Sequence, residues 1–227
     1  MICTYKDLTY TLAQSDRKTM SIYVDRDGNI LVRAPKDIPA NKLDAIMDIK
    51  SYWIYKSVSE MQELNRNRVT RRIANGEGFL YMGKSYRLKI EKGLKTPLTL
   101  SNGYFLLSEA GADNARKHFI NFYREKGKLH LSERVKYYGK KIGVDVSSIR
   151  VMDLKTRWAS RSNKGLNFHW KVMLAPMSII DYLVVHELAH FKKADHSHEF
   201  WELVESVMPN YREKKNWLRV NGANLDS

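Results

Sequence analysis

Residues 179–190 have the sequence IIDYLVVHELAH, which places charged and polar side chains inside an otherwise apolar segment. Apolar residues fall on most sides of a helical projection of this stretch, which predicts a helix buried in the core. Ala175-Pro176 is typical of a helix start, so we expect the helix to begin there, with Asp181 as a charge near its N-terminus, and to continue to about Lys192. The stretch therefore predicts a buried helix that carries two histidines and a glutamate.

The pentapeptide His186-Glu187-Leu188-Ala189-His190 matches the pattern H-E-x-x-H. Helix residues four apart lie about 40° apart around the axis and one turn apart along it. Two imidazoles at this spacing can converge on one metal ion, and zinc is the usual one. Glu187 leaves the helix beside them and can take a proton from water that the metal activates. The pattern indicates a metal-assisted hydrolase with Glu187 as its catalytic residue.

The apolar surroundings of this pattern favour a metal site over a chance match. A match by chance is expected in roughly one chain of this composition in a hundred. Burying two imidazoles and a carboxyl group costs several kcal/mol unless they are paired or bound to a metal. The competing interpretation is a pair of core histidines that are hydrogen-bonded to their neighbours.

A catalytic zinc site needs a third protein ligand and an open fourth position. His196 lies six residues after His190, a spacing that the metzincin pattern also has, although Lys193 occupies the position of the metzincin glycine. The rival ligands follow closely in the sequence: His198, Glu199, Glu202 and Glu205. We expect one zinc ion per chain on His186, His190 and His196, although nickel, cobalt or iron can bind the same ligands.

The rest of the sequence predicts an α+β fold in two domains. Residues 1–108 are expected to form a β-rich domain with one long helix over residues 41–65. Residues 109–227 begin with a helical segment that Gly127 can interrupt, followed by three short strand candidates, the helix with the two histidines and two further helices. No internal repeat is visible in the sequence.

Composition limits the classes of partner. The chain has 227 residues and a net charge of +14, which attracts anionic partners without choosing among them, so weak electrostatic binding of nucleic acid is one expectation. No apolar run reaches the roughly 20 residues that span a bilayer, and no secretory signal is visible, so we expect no membrane insertion. The single cysteine, Cys3, fits a reducing compartment, so cytoplasm is the expected location. The oligomeric state is not indicated.

Several segments of the second half form a recognisable set. They are Arg157–Ser160, Leu166–Trp170, Leu174–Pro176, Ile180–Tyr182, His186–His190, His196-Ser197, Phe200-Trp201, Tyr211–Glu213 and Trp217-Leu218. This set resembles the YgjP-like (DUF45) metal-dependent hydrolases, relatives of the SprT-like and WLM zinc metallopeptidases. Looser matches at Trp53-Ile54 and residues 81–88 extend the resemblance across most of the chain. It implies a small zincin-like metallopeptidase core with a short antiparallel or mixed sheet, zinc on the three histidines and catalysis by Glu187.

One segment departs from the family pattern. Where that pattern usually has Arg-Trp-Gly-Ser-Cys-Ser, residues 157–162 have the sequence RWASRS, which adds a positive charge near the cleft. A peptidase also needs a group that stabilises the oxyanion formed on attack. By residue type, the candidates for this role or for substrate contact are Arg157, Arg161, His169 and Tyr211.

Three functions are compatible with these features. The leading one is a zinc peptidase that acts on a peptide or protein. The second is a phosphoanhydride hydrolase that acts on an anionic nucleotide such as a nucleoside triphosphate, favoured by the net charge and by Arg161. The third is a DNA-associated protease, as the SprT-like relatives suggest, whose DNA binding would weaken steeply with salt. A structural zinc is disfavoured, because such sites usually have four ligands rich in cysteine.

Overall fold

The computed structural model describes residues 1–25, 27–66, 71–154, 157–162 and 165–225. Its mixture of strands and helices confirms the α+β class expected from the sequence. The chain divides into two compact units, Met1–Arg68 with Gly222–Asn224 and Val69–Asn221 with Leu225–Ser227. No helix within the described ranges is both long enough and apolar enough to cross a bilayer.

The first unit contains a four-stranded sheet and one long helix. Its strands are β1 (Ile2–Tyr5), β2 (Leu8–Ser15), β3 (Ser21–Val24) and β4 (Ile30–Pro35), in the order β1-β2-β4-β3. The central β2–β4 pair is parallel, and the outer pairs are antiparallel. Helix α1 (Ala40–Asn65) follows, as its apolar spacing predicts. One core unites the sheet and the helix: Leu8, Tyr10, Ile30, Val32, Leu43, Met47 and Ile54.

The second unit begins with a sheet of the same strand order. Strands β5 (Gly78–Tyr81), β6 (Lys84–Glu91), β7 (Leu98–Ser101) and β8 (Tyr104–Ser108) lie in the order β5-β6-β8-β7, again with a parallel central pair. A long helix, α2 (Ala115–Ile142), comes after this sheet in the chain, as α1 comes after the first sheet. The structure thus repeats a topology that is not visible as a sequence repeat. Strand order depends on apolar alternation and turn geometry, which many different side chains can satisfy.

Helix α2 joins this second sheet to the rest of its unit. Its residue Phe119 stacks on Phe79, and its residue Phe122 meets Phe105 edge-on, with ring centroids 4.3 and 5.2 Å apart. The same core continues to the helix that carries the histidines. The domain boundary expected at residue 108 therefore differs from the division at residue 68, because the strands before residue 108 share a core with the residues after it.

Gly127 does not interrupt α2. A Cβ atom at this position would lie 3.1 Å from Cγ of Met173 and 3.4 Å from Cγ1 of Val151. The glycine therefore allows α2 to approach the neighbouring chain closely. The helix ends at Gly143, which has a left-handed φ of 72° and is a common helix C-terminal residue.

A small sheet and three helices complete the second unit. Strands β9 (Ser148–Met152), β10 (Ala159–Arg161) and β11 (Gly165–His169) lie in the order β10-β11-β9, with β10 antiparallel and β9 parallel to β11. A 3-10 helix, Trp170–Leu174, leads into α3 (Met177–Ala189). Helices α4 (His198–Val207) and α5 (Tyr211–Asn221) follow. Ten of the 13 residues of α3 are buried, so the prediction of a buried helix is confirmed.

Asp181 holds α3 against α2. It accepts hydrogen bonds from Arg134, at 2.6 Å to Nε and 2.8 Å to Nη2, and from the Tyr138 hydroxyl at 3.2 Å. The bond to Asp181 raises the pKa of Arg134. The expectation that Asp181 is a charge at the N-terminus of the helix was wrong, because α3 begins at Met177 and its first turn contains no acidic residue.

The turn between β5 and β6 contacts the segment that precedes α3. The backbone N–H groups of Met82 and Gly83 donate to the carbonyl oxygens of Met173 and Leu174, at 2.7 and 3.1 Å. Gly83 has a φ of 78°, and a Cβ atom there would lie 2.9 Å from Cα of Pro176. The turn therefore supports the start of the buried helix through backbone contacts that require a glycine.

We expect Gly83→Ala to lower the free energy of unfolding by about 2–4 kcal/mol, because strain at a positive φ adds to a clash with backbone atoms. Urea titration of the variant and the wild type measures this difference. Gly103→Ala is the matched control, since Gly103 has a φ of 80° in a turn where a Cβ atom would meet nothing within 4 Å. Equal losses in the two variants would contradict a supporting role of the contact with Pro176.

Candidate metal centre

Helix α3 places the first two histidines at its C-terminal end. His186 lies in its last turn, and His190 is the residue directly after it, so the helix is shorter than the expected end near Lys192. The two rings are 4.9 Å apart and nearly perpendicular. The chain then turns sharply, with N–H groups of the following residues bonded back to the carbonyls of Leu188 and Ala189. This turn redirects the chain towards α3 before α4 begins.

The turn brings His196 to the other two histidines. Its ring centroid lies 5.0 Å from that of His186 and 4.7 Å from that of His190, and one nitrogen of each ring lies within 4.8 Å of the others. The Nε2 atoms of His186 and His196 are 3.1 Å apart. Two nitrogens on a tetrahedral zinc ion are separated by about 3.3–3.4 Å, given Zn–N distances of about 2.0–2.1 Å. The separation of these two donors fits one small metal ion, and the third donor lies within 4.8 Å of both.

The rival ligands lie elsewhere in the described part of the chain. His198 is exposed and pairs with Glu202 on α4, at 3.2 Å. Among the described residues, the group that can hold a metal contains His186, His190 and His196 without any carboxylate. The structure thus brings together the three histidines that the sequence singled out.

The protonation of the imidazoles suits metal binding. Burial lowers the pKa of His186 to about 3, with a smaller contribution from the two nearby histidines. Burial also lowers the pKa of His190. Both rings are therefore neutral at pH 7, which is the form that binds metals. Nδ1 of His190 lies 3.2 Å from the carbonyl oxygen of Lys193, and donation to this oxygen leaves Nε2 of His190 as a free electron-pair donor.

The competing interpretation, in which the histidines are hydrogen-bonded residues of the core, fits this geometry less well than a metal site. Nδ1 of His186 is buried and has no hydrogen-bond partner within the described ranges. The two facing Nε2 atoms of His186 and His196 can share only one proton between them. A histidine kept only for packing would be expected to have its buried nitrogens paired.

Glu187 lies in the same cleft as the three histidines. The cleft has a volume of about 590 Å³. The Glu187 side chain is buried, with 7% of its surface exposed. Burial raises the pKa of Glu187 to about 7, while the charges of Arg157 and Arg161 act in the opposite direction. A carboxyl group with such a pKa can both accept and release a proton near neutral pH.

Of the four predicted substrate or oxyanion contacts, the structure brings two to the cleft. Arg157 and Arg161 line it, at the start and end of the segment that contains β10. His169 is buried outside the cleft lining, where Nε2 lies 3.0 Å from Asp153 and Nδ1 accepts from a backbone N–H. Tyr211 is buried against Trp201, also outside the lining, with ring centroids 5.2 Å apart.

Two residues near the site were not assigned a role from the sequence. Tyr182 lines the cleft, and burial raises its pKa to about 12. Tyr182 lies four residues before His186, so the two side chains share one helix face. This spacing in the sequence could have placed Tyr182 beside the site. The ring of Trp201 stacks on that of His196, with ring centroids 5.6 Å apart and an angle of 24° between the planes. This stacking restrains an imidazole that belongs to an exposed loop residue.

Comparison with known proteins gives one family for this chain. The model of the YgjP-like family, metallopeptidase domain, matches residues 18–221. The chain is also similar to the crystal structure of the metallopeptidase zymogen of Pyrococcus abyssi abylysin. The two have 25% sequence identity and a TM-score of 0.36, over 38% of this chain and 89% of that chain. No curated protein matches the chain.

We expect the purified protein to contain about one zinc ion per chain. His190→Ala and His196→Ala should each lose most of it, because two imidazoles bind zinc far less tightly than three. Elemental analysis after zinc loading measures the content, and circular dichroism checks the fold. His198→Ala is the matched control and should keep its zinc. A folded wild-type protein without zinc after loading would contradict the metal site.

Proposed function

Because the chain belongs to the YgjP-like metallopeptidase family, we propose that it is a zinc-dependent hydrolase that cleaves peptide bonds. The observation that carries the proposal is the group of three imidazole nitrogens within 4.8 Å of one another, beside the buried carboxyl group of Glu187. A set of three protein ligands is typical of a catalytic zinc site, whereas structural zinc sites usually have four.

Each residue then has a distinct task. His186, His190 and His196 would hold the ion, with the first two on α3 and the third on the loop before α4. A zinc ion supplies Lewis acidity, which polarises the substrate carbonyl and makes water a nucleophile near neutral pH. Trp201 would keep the His196 ring in position through the stacking contact.

Glu187 is the proposed general base and then general acid. Its carboxylate would take a proton from the attacking water and pass it to the leaving amine nitrogen. A pKa raised to about 7 by burial suits both steps, because the group binds and releases a proton with little free-energy difference at neutral pH.

The oxyanion requires hydrogen-bond donors that stay protonated during the reaction. Tyr182 meets this condition, because burial raises its pKa to about 12 and its hydroxyl therefore keeps its proton at neutral pH. Arg157 and Arg161 line the same cleft and carry permanent positive charges. We propose these three side chains as the source of oxyanion stabilisation.

A second candidate substrate is a nucleoside triphosphate. The observation in its favour is the pair of arginines that lines the cleft, because guanidinium groups bind phosphate well. The reaction would use the same ligands and the same base, with phosphorus as the centre of attack. Phosphate release from nucleotides, measured beside peptide cleavage, separates the two candidates.

We expect Glu187→Gln to keep its zinc and to lose activity by about 10²–10⁴-fold in kcat, because the amide cannot accept the proton of the attacking water. Activity is followed by mass spectrometry of a peptide mixture, and zinc by elemental analysis of the same sample. Glu202→Gln is the matched control, since Glu202 lies on the exposed face of α4. Full activity of a zinc-loaded Glu187→Gln protein would disprove the proposed role.

A further inference from the structure

Two guanidinium groups line the cleft, and no acidic side chain among the described residues pairs with either. Arg157 and Arg161 are both exposed, and both belong to the cleft wall. Neither forms an ion pair with an acidic side chain in the described part of the chain, whereas Arg134, in the same unit, pairs with Asp181. An unpaired guanidinium beside a reacting centre is available to bind an anionic group of a substrate.

Arg161 is held in place although its side chain is exposed. Its Nη1 donates to the carbonyl oxygen of His190 at 2.6 Å, and its Cζ lies 5.5 Å from the ring centroid of Phe191. The bond to His190 uses one of the five N–H donors of Arg161, and the other four remain available. A guanidinium that is already ordered loses less conformational entropy when it binds a ligand.

The charge balance of the cleft is positive. Glu187 is the one acidic side chain among the described residues that line it, against the two arginines. Lys215 adds a further cation nearby, with its ammonium group 4.2 Å from the ring centroid of Trp201. The three imidazoles are neutral ligands, so a divalent metal would add two more positive charges that they do not compensate. A negative group on the substrate would reduce this imbalance, whereas a basic one would increase it.

The two arginines lie in the same cleft as the proposed reacting centre. Arg157 and Arg161 line it together with Glu187 and the histidines, and Arg161 is bonded to the backbone of His190. Their positive charges therefore act where the scissile bond would lie, and an anionic group that pairs with them would sit close to that bond.

We propose that Arg161, together with Arg157, makes the site select peptides that carry an aspartate or glutamate side chain next to the scissile bond. The inference rests on the proposed peptidase function and adds a substrate class to it. A carboxylate can accept two parallel N–H bonds from a guanidinium, which an uncharged or basic side chain cannot do. The same chemistry would accept a phosphate group, so nucleotides form a separate arm of the test.

The zinc-loaded protein is first given a mixture of short synthetic peptides, and mass spectrometry identifies the cleaved bonds. A cleaved peptide is then made in three versions that carry glutamate, glutamine or lysine at the position beside the bond. Arg161→Ala, Arg157→Ala and the charge reversal Arg161→Glu are compared with the wild type through the ratios of kcat/KM among the three versions. Zinc content is measured for every variant, because Arg161 also contacts the backbone of His190.

Arg150→Ala is the matched control. Arg150 is an exposed arginine on β9 of the same small sheet, outside the cleft lining, and its loss changes the net charge of the protein equally. Its ratios should equal those of the wild type. This control separates an effect of the cleft arginines from a general effect of net charge.

The wild type should prefer the glutamate version over the glutamine version by about tenfold or more in kcat/KM, and each alanine variant should lose most of that preference. Arg161→Glu should shift the preference towards the lysine version, a change that structural damage alone would not produce. Equal kcat/KM for the three versions in the wild type would overturn the inference and leave the peptidase function intact. Cleavage of no peptide at all would overturn both. Phosphate release from nucleoside triphosphates that exceeds the turnover of every peptide would assign the arginines to phosphate instead.

Discussion

The structure depends on the burial of helix α3, which brings polar side chains into an apolar core. Helix α3 is buried on nearly every side, and it carries Asp181, His186 and Glu187 within this apolar setting. Each such group costs several kcal/mol unless a partner offsets its lost hydration. Asp181 is satisfied by Arg134 and Tyr138 from α2. His186 and Glu187 line the cleft, where the proposed metal ion would offset part of the cost of their burial.

The position of the helix end decides the geometry of the site. Because α3 stops at Ala189, His190 is followed directly by a turn that returns the chain to the helix. Two of the proposed ligands are therefore held at the end of α3, while the third, His196, belongs to an exposed loop and stacks on Trp201. The proposed site thus combines two donors held by α3 with a third donor, His196, whose position depends on its contact with Trp201 of α4.

The surrounding elements each support α3 from a different direction. The sheet β5–β8 shares a core with α2, and its first turn is bonded to the backbone just before α3. The short strand β10 forms the cleft wall that carries Arg161. This arrangement explains why residues 78–108 belong with the metal centre, although their composition resembles that of the strands at the start of the chain. Packing, rather than composition, decides which elements form one unit.

The sequence by itself determined the buried helix, the spacing of His186 and His190 on it, the carboxyl group beside them and the long helix α1. These features follow from local periodicity, which acts over a few residues and is readable without a fold. The spacing in the sequence also favoured His196 over His198 as the third histidine. Only the tertiary structure decided that Tyr182 and Arg161 line the cleft while His169 and Tyr211 do not, and that Asp181 pairs with Arg134. It also decided the repeated strand order and the division of the chain near residue 68. Each of these depends on contacts between residues distant in sequence or on the exact path of a turn, and neither leaves a periodic signal in the chain.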